Sequence, residues 1–157
     1  MITKPATKRS VVHHAFTMTR RYKAAPARVF AAWSTAEAKA KWFHGPEEFS
    51  REPLQLDFRV GGTEHAAGIA GNGVRHTYDA LYTNIIPNER FILTYWMTLD
   101  GVPISTSLQT VEFAPDGAGT LLTFTEQDAF LDGFDGPASR EEGTRLLLEN
   151  LAQAIDA

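Results

Sequence analysis

Cysteine is absent from all 157 residues. That excludes disulfide stapling, thiolate catalysis and any cysteine-ligated metal centre, and it fits a cytoplasmic location. Long apolar runs are missing too. No stretch approaches the roughly 20 apolar residues that span a bilayer, and the N-terminus has no uninterrupted apolar core of a signal peptide, so membrane insertion is not expected. Positive charge is scarce: 15 lysines and arginines face 19 acids, a net charge of -4. This disfavours a sequence-independent grip on nucleic acid or acidic lipid. The basic clusters, Lys4 to Arg9 and Arg20-Arg21, read as a solvated tail and a strand edge. Five histidines (His13, His14, His44, His65 and His76) lack the His-Glu-x-x-His spacing, so no metal site is expected. Gly61-Gly62 and Gly71-Asn72-Gly73 come without a Walker lysine or a dinucleotide fingerprint, and no serine sits in Gly-x-Ser-x-Gly. No cofactor and no hydrolase triad are implied.

What is present is a chain 43% hydrophobic, long enough for one domain with a sizeable core. Residues 1–10 read as a flexible tail and 11–157 as a single domain. Alternation of His14, Phe16, Met18 and Tyr22 against Thr17, Thr19 and Arg21 predicts a first strand over about 11–23. Pro26, followed by Val29, Phe30 and Trp33 at helical spacing, predicts a short helix. Ser34 and Glu37 have the spacing of a capping box, which predicts a second helix over about 35–43, closed by His44-Gly45-Pro46.

Leu54, Leu56, Phe58 and Val60 alternate up to Gly61-Gly62, predicting a second strand that turns into a third. His76, Tyr78, Ala80 and Tyr82 define the aromatic face of a fourth. Phe91 to Met97 is apolar in both phases and predicts a fifth strand that is central or covered on both faces. Strands over about 105–113 and 120–128 follow. Leu147, Leu148, Leu151, Ala154 and Ile155 then mark the apolar stripe of a terminal helix over about 137–155.

The runs Arg20-Arg21-Tyr22 through Pro26 to Val29-Phe30-Ala31-Ala32-Trp33, Trp42-Phe43-His44-Gly45-Pro46 and Asp57-Phe58-Arg59-Val60-Gly61-Gly62 occur in a telling order. Tyr78, Tyr82, Pro87-Asn88-Glu89-Arg90, Gly119-Thr120, Thr125-Glu126-Gln127, Phe130-Leu131-Asp132-Gly133 and Arg140-Glu141-Glu142-Gly143 continue it. Together they resemble the SRPBCC superfamily, the helix-grip group that includes START domains and the birch-pollen allergen. Within it, the chain is most similar to the family named after the C-terminal domain of the activator of the heat-shock protein ATPase. The resemblance spans about 12–156. It implies an α+β helix-grip fold: a seven-stranded curved antiparallel sheet around a long C-terminal helix, two short helices between strands one and two, and a hydrophobic cavity between sheet and helix.

In such a fold Trp33, Trp42, His76, Tyr78, Tyr82, Tyr95, Leu147 and Leu151 would line the cavity, with Gly143 leaving room above it. That wall suits a small hydrophobic ligand, a lipid or an aromatic metabolite. The same rings could equally fill a core. Glu126 and His44 are the acid/base candidates, because an ionisable group beside apolar walls has a shifted proton affinity. A strand glutamate is more often solvated or arginine-paired, and a histidine before glycine is more often a cap. A binding protein is thus the leading expectation. A cyclase or hydratase using the same cavity is the alternative, and an interaction module acting on a chaperone ATPase is the third. The activator's separate N-terminal domain has no counterpart here, which counts against the chaperone partner. Exposed apolar positions on strand five admit a homodimer.

Overall fold

The structure, a computed structural model, describes residues 8–156. β1 (Val11–Tyr22) is followed by α1 (Pro26–Ala31) and α2 (Ala36–Ala40). Then come β2 (Ser50–Arg51), β3 (Gln55–Leu56), β4 (Thr63–Ile69), β5 (Arg75–Ile86), β6 (Arg90–Leu99), β7 (Val102–Asp116) and β8 (Gly119–Leu131). The last element is α3 (Pro137–Ile155). The sheet order is β1-β8-β7-β6-β5-β4-β2, with β3 also paired to β4, and every pairing is antiparallel. This is the α+β helix-grip architecture, with a large curved sheet and a long terminal helix.

Burial follows the two-residue period of a sheet with one covered face. On β8, Thr120, Leu122, Phe124, Glu126, Asp128 and Phe130 are all buried, while their neighbours are half-buried or exposed. On β6, Phe91, Leu93 and Tyr95 face in. β6 is central, between β5 and β7, the first of the two expected alternatives, and its outer side is open, with Trp96 43% exposed.

The region between β1 and β4 departs most from the sequence expectation. The start of α2 is capped by Thr35, whose Oγ1 accepts from the Ala38 N–H at 3.1 Å, and not by Ser34. Ser34 instead donates its hydroxyl to the Ala31 carbonyl at 3.0 Å, closing α1. α2 also stops at Ala40, well short of position 43. The strand expected over 54–60 is cut to β3, because the chain doubles back after Asp57. Gly61 N–H donates to the Tyr82 carbonyl at 2.8 Å, and Tyr82 N–H donates to the Gly62 carbonyl at 3.0 Å. A Cβ at position 62 would lie 2.0 Å from the Asp57 carbonyl oxygen, so this reversal admits only glycine there.

Residues 1–7 of the expected tail lie outside the described residues. Arg9 and Ser10, its last part, are pinned: Arg9 Nη1 meets Asp132 Oδ2 at 2.8 Å, and Ser10 N–H donates to Asp132 Oδ1 at 3.0 Å.

α3 starts at the expected Pro137, a residue suited to a first helical turn. Its buried stripe, however, is Arg140, Thr144, Leu148 and Leu151. Leu147 and Ile155 are half-buried and Ala154 is exposed, so the stripe is rotated from the one expected. Gly143 therefore leaves no room for a ligand. It lies on the exposed side, and a Cβ there would meet nothing within 4 Å. Gly143→Ala is accordingly expected to stabilise the protein by about 0.5–1 kcal/mol through helix propensity and a less flexible unfolded chain. Thermal unfolding checks it, and a lowered Tm would mean that position 143 faces the sheet.

Candidate functional site

The inner face of the sheet gathers most of the expected lining residues. Trp33, Trp42, Tyr78, Tyr82, Tyr95 and Leu151 are buried in one cluster, with Leu147 packed partly against it. The rings touch: Trp33 and Trp42 lie 4.5 Å apart edge to face, Tyr78 and Tyr95 4.8 Å, and Phe43 and Tyr78 5.0 Å. The middle of the expected cavity is thus occupied by aromatic contacts. His76 stands outside this cluster, half-buried, with its ring 5.0 Å from that of Phe49. His44 is also half-buried. Its Nδ1–H donates to the Gly45 carbonyl at 2.9 Å, and its ring joins none of the networks described below.

Two charged groups enter this interior from the helices. Arg140, near the start of α3, donates through Nη1 to Tyr95 Oη at 2.8 Å and to Ser107 Oγ at 3.2 Å. Its Nη2 donates to Ser105 Oγ and to Asp135 Oδ2, both at 2.8 Å. Asp128 Oδ1 and Glu126 Oε2 stand a little farther off, at 3.5 and 3.8 Å. Tyr95 Oη in turn donates a hydrogen bond to Glu126 Oε1 at 2.9 Å, and Ser107 donates to Asp128 Oδ1. Burial works against the charge on Arg140, but Tyr95, Asp135 and Glu126 outweigh it and keep the guanidinium protonated.

Glu126 behaves oppositely. Burial pushes its carboxyl up to about 9, and a hydrogen bond shared with Asp128, together with the charge of that neighbour, adds to the effect. Near neutral pH Glu126 therefore holds its proton. Glu126 Oε2 and Asp128 Oδ2 have no hydrogen-bond partner among the described residues.

The second charge is Lys39 of α2, fully buried, its Nζ 2.9 and 2.8 Å from the two oxygens of Glu64. Tyr82 Oη donates to Glu64 Oε1 at 2.6 Å, and the ammonium lies 4.3 Å from the centre of the Phe43 ring. Burial lowers the proton affinity of Lys39, and Glu64 opposes that. Tyr78 lies between the networks and feels both Glu64 and Glu126. Burial first, and these carboxylates after it, hold the phenol neutral far into the alkaline range. Its hydroxyl is buried and, among the described residues, has no hydrogen-bond partner, and the same holds for Trp33 Nε1 and His14 Nε2. His14 Nε2 is 3.6 Å from Glu141 Oε2.

Sequence reasoning located Glu126 but missed Lys39, Glu64 and Asp128, and it gave Arg140 no site role. Asp128 had a usable signal, since it shares the buried phase of β8 with Glu126. Lys39 had none, because a lysine on a short alanine-rich helix looks solvated.

Two clefts open beside this interior. One, about 500 Å³, lies along the strands and includes His13, Thr94, Thr106, Leu108 and Gln127. The other, about 310 Å³, lies between β1 and α3. No helix among the described residues is long and apolar enough to cross a membrane, and no group of three or more histidine or acidic residues among them is placed to hold a metal ion.

A curved sheet around a terminal helix, with polar groups carried on its inner face, defines a helix-grip protein. Residues 23–156 match the family model described as activator of Hsp90 ATPase homolog 1-like protein, and the chain belongs to that family. A solved structure from Rhizobium leguminosarum is 43% identical, with TM-score 0.91, over 96% of this chain and 99% of its own. The Mll3558 protein of Rhizobium loti is 42% identical, with TM-score 0.85, over 92% and 99%. An AHSA1-like protein from Aeromonas hydrophila shares the fold at 17% identity and TM-score 0.69, over 91% and 92%. No curated protein matches. Family and fold together support a ligand-binding module or one that acts as an activator of the Hsp90 ATPase.

Two outcomes follow from the buried charges. Glu126 has a raised folded-state proton affinity, so its contribution is fully present below the unfolded carboxyl value and is lost as pH rises through about 9. Urea unfolding at successive pH values should show stability falling across that window, by up to about 1.4 kcal/mol per pH unit from this group. Glu126→Gln, which mimics the protonated acid, should flatten the fall, and an unchanged slope would assign it to other groups. Lys39→Met should cost about 3–5 kcal/mol by stranding Glu64, and Glu64→Gln added to it should recover part of the loss. Additive losses in that double-mutant cycle would mean that the two are not coupled.

Proposed function

We propose that this protein binds a small ligand with an apolar or aromatic body and a polar group, held between the sheet and α3. The observation that carries this reading is the unpartnered Tyr78 hydroxyl, buried among rings. Interior polar groups are nearly always hydrogen-bonded, and an unsatisfied one costs about 1–3 kcal/mol. A ligand carbonyl or hydroxyl would supply the missing acceptor, with Trp33 Nε1 as a second donor. Trp42, Tyr95 and Leu151 would provide the apolar surroundings. His76 would stand at the edge and Leu147 on the helix side.

The proton held by Glu126 favours a second reading, a cyclase or hydratase in which Glu126 acts as general acid. His44 has no part in it. Under that reading Glu126→Gln removes turnover and leaves the fold intact, whereas under the first it leaves binding in place.

Native mass spectrometry of gently purified protein, followed by denaturation, tests the first reading. The expected result is release of a small apolar compound, retained severalfold less by Tyr78→Phe. Because the variant also removes an unpaired hydroxyl, its Tm should not fall. Protein that comes off empty and fails to bind 2-naphthol in a fluorescence titration would count against a ligand-binding role.

A further inference from the structure

The cleft between β1 and α3 differs in chemistry from the interior behind it. Met18, Thr19 and Arg20 form one wall, Arg145 and Leu148 the other, around about 310 Å³. Leu148 belongs to the core cluster and Met18 packs against it, so the floor is apolar. Tyr22 Oη donates to the Leu148 carbonyl at 3.0 Å, which ties helix to strand at this point and keeps the spacing fixed.

The two arginines give the cleft its hydrogen-bond donors. Arg20 Nη2 pairs with Glu149 Oε2 at 2.5 Å and Arg145 Nη1 with Glu142 Oε2 at 2.6 Å, each through one nitrogen. Neither glutamate lines the cleft. A guanidinium has five donors in a planar fork that matches a carboxylate, so both keep donors for a ligand. The interior is different: both terminal nitrogens of Arg140 are already taken by Tyr95, Ser105, Ser107 and Asp135, so an anion finds no free cation there.

Resting on the ligand-binding reading above, we propose that this seam is a head-group site for an amphipathic carboxylate. The carboxylate lies between Arg20 and Arg145, and its hydrocarbon lies on Met18 and Leu148. The volume is at the lower end of small-molecule sites, which suits a medium-length chain.

Calorimetric titrations at pH 7 with decanoate, decanol and decylamine, chosen for equal chain length, test this. Decanoate should bind tightest. Arg20→Gln/Arg145→Gln should weaken it about tenfold and leave decanol unchanged, and added salt should act on decanoate alone. The single variant Arg145→Gln, at an exposed site, should give a smaller loss in the same direction should the double variant fold poorly. Decanol or decylamine binding as tightly as decanoate would overturn the head-group assignment while leaving a ligand-binding protein in place. Binding by none of the three would overturn both. Co-sedimentation of the protein with phosphatidylglycerol vesicles would put a membrane surface in place of the free ligand and overturn the assignment as well.

Discussion

The buried guanidinium of Arg140 is the constraint on which the inner half of this molecule depends. A charge removed from water has to be surrounded by acceptors, and these come from β6, β7 and the turn before α3: Tyr95, Ser105, Ser107 and Asp135. Those partners fix the rotation of α3. Once Arg140 points inward, Thr144, Leu148 and Leu151 follow it at helical spacing and Gly143 turns away. One residue thus sets the helix phase and the closure of the β8–α3 turn.

Lys39 and Glu64 do the equivalent work at the other end. Lys39 is the buried residue of α2, and its ion pair fastens the two short helices to β4 and, through Tyr82, to β5. α2 has only five residues, too few to be stable by itself, so its place depends on this pair and on the rings above it. Between the two networks stand Tyr78 and Tyr95, neutral phenols that separate the cations without breaking the line of polar atoms. The interior is a layered arrangement of ion pair, aromatic pair and ion pair, which is far more polar than a sheet-on-helix core requires.

Much of this was legible in the sequence, because strands with one covered face and an amphipathic helix leave periodic traces. The limits of β1, the phase of β8 and the span of α3 follow from those traces and from Pro26 and Pro137. The failures have a common cause, which is that pattern reading assumes charge lies outside. A stripe drawn through apolar residues alone leaves out Arg140 and Thr144, so it comes out rotated. Lys39 was passed over for the same reason. The error at Ser34 is different. Ser34 and Thr35 are adjacent cap formers, and only the backbone shows that one closes α1 while the other opens α2. The strand expected over 54–60 failed because its alternation was real but its hydrogen bonds go to Tyr82 across a glycine reversal, a long-range fact that no local pattern contains.

The polarity of the interior bears directly on function. A protein that needed only stability would gain from replacing such ion pairs with apolar groups of the same shape. Here ion pairs are buried, and specific atoms of Tyr78 and Trp33 have no partner among the described residues. Rigid, oriented polar groups beside aromatic faces are what selective binding of a small molecule requires, since the apolar contacts supply affinity and the fixed donors decide which molecule is accepted. The arginines of the β1–α3 cleft extend that logic to the surface. Inside, the terminal nitrogens of Arg140 are already taken, whereas the cleft arginines keep donors for a carboxylate, so a ligand carrying one would be held with its charge at the cleft.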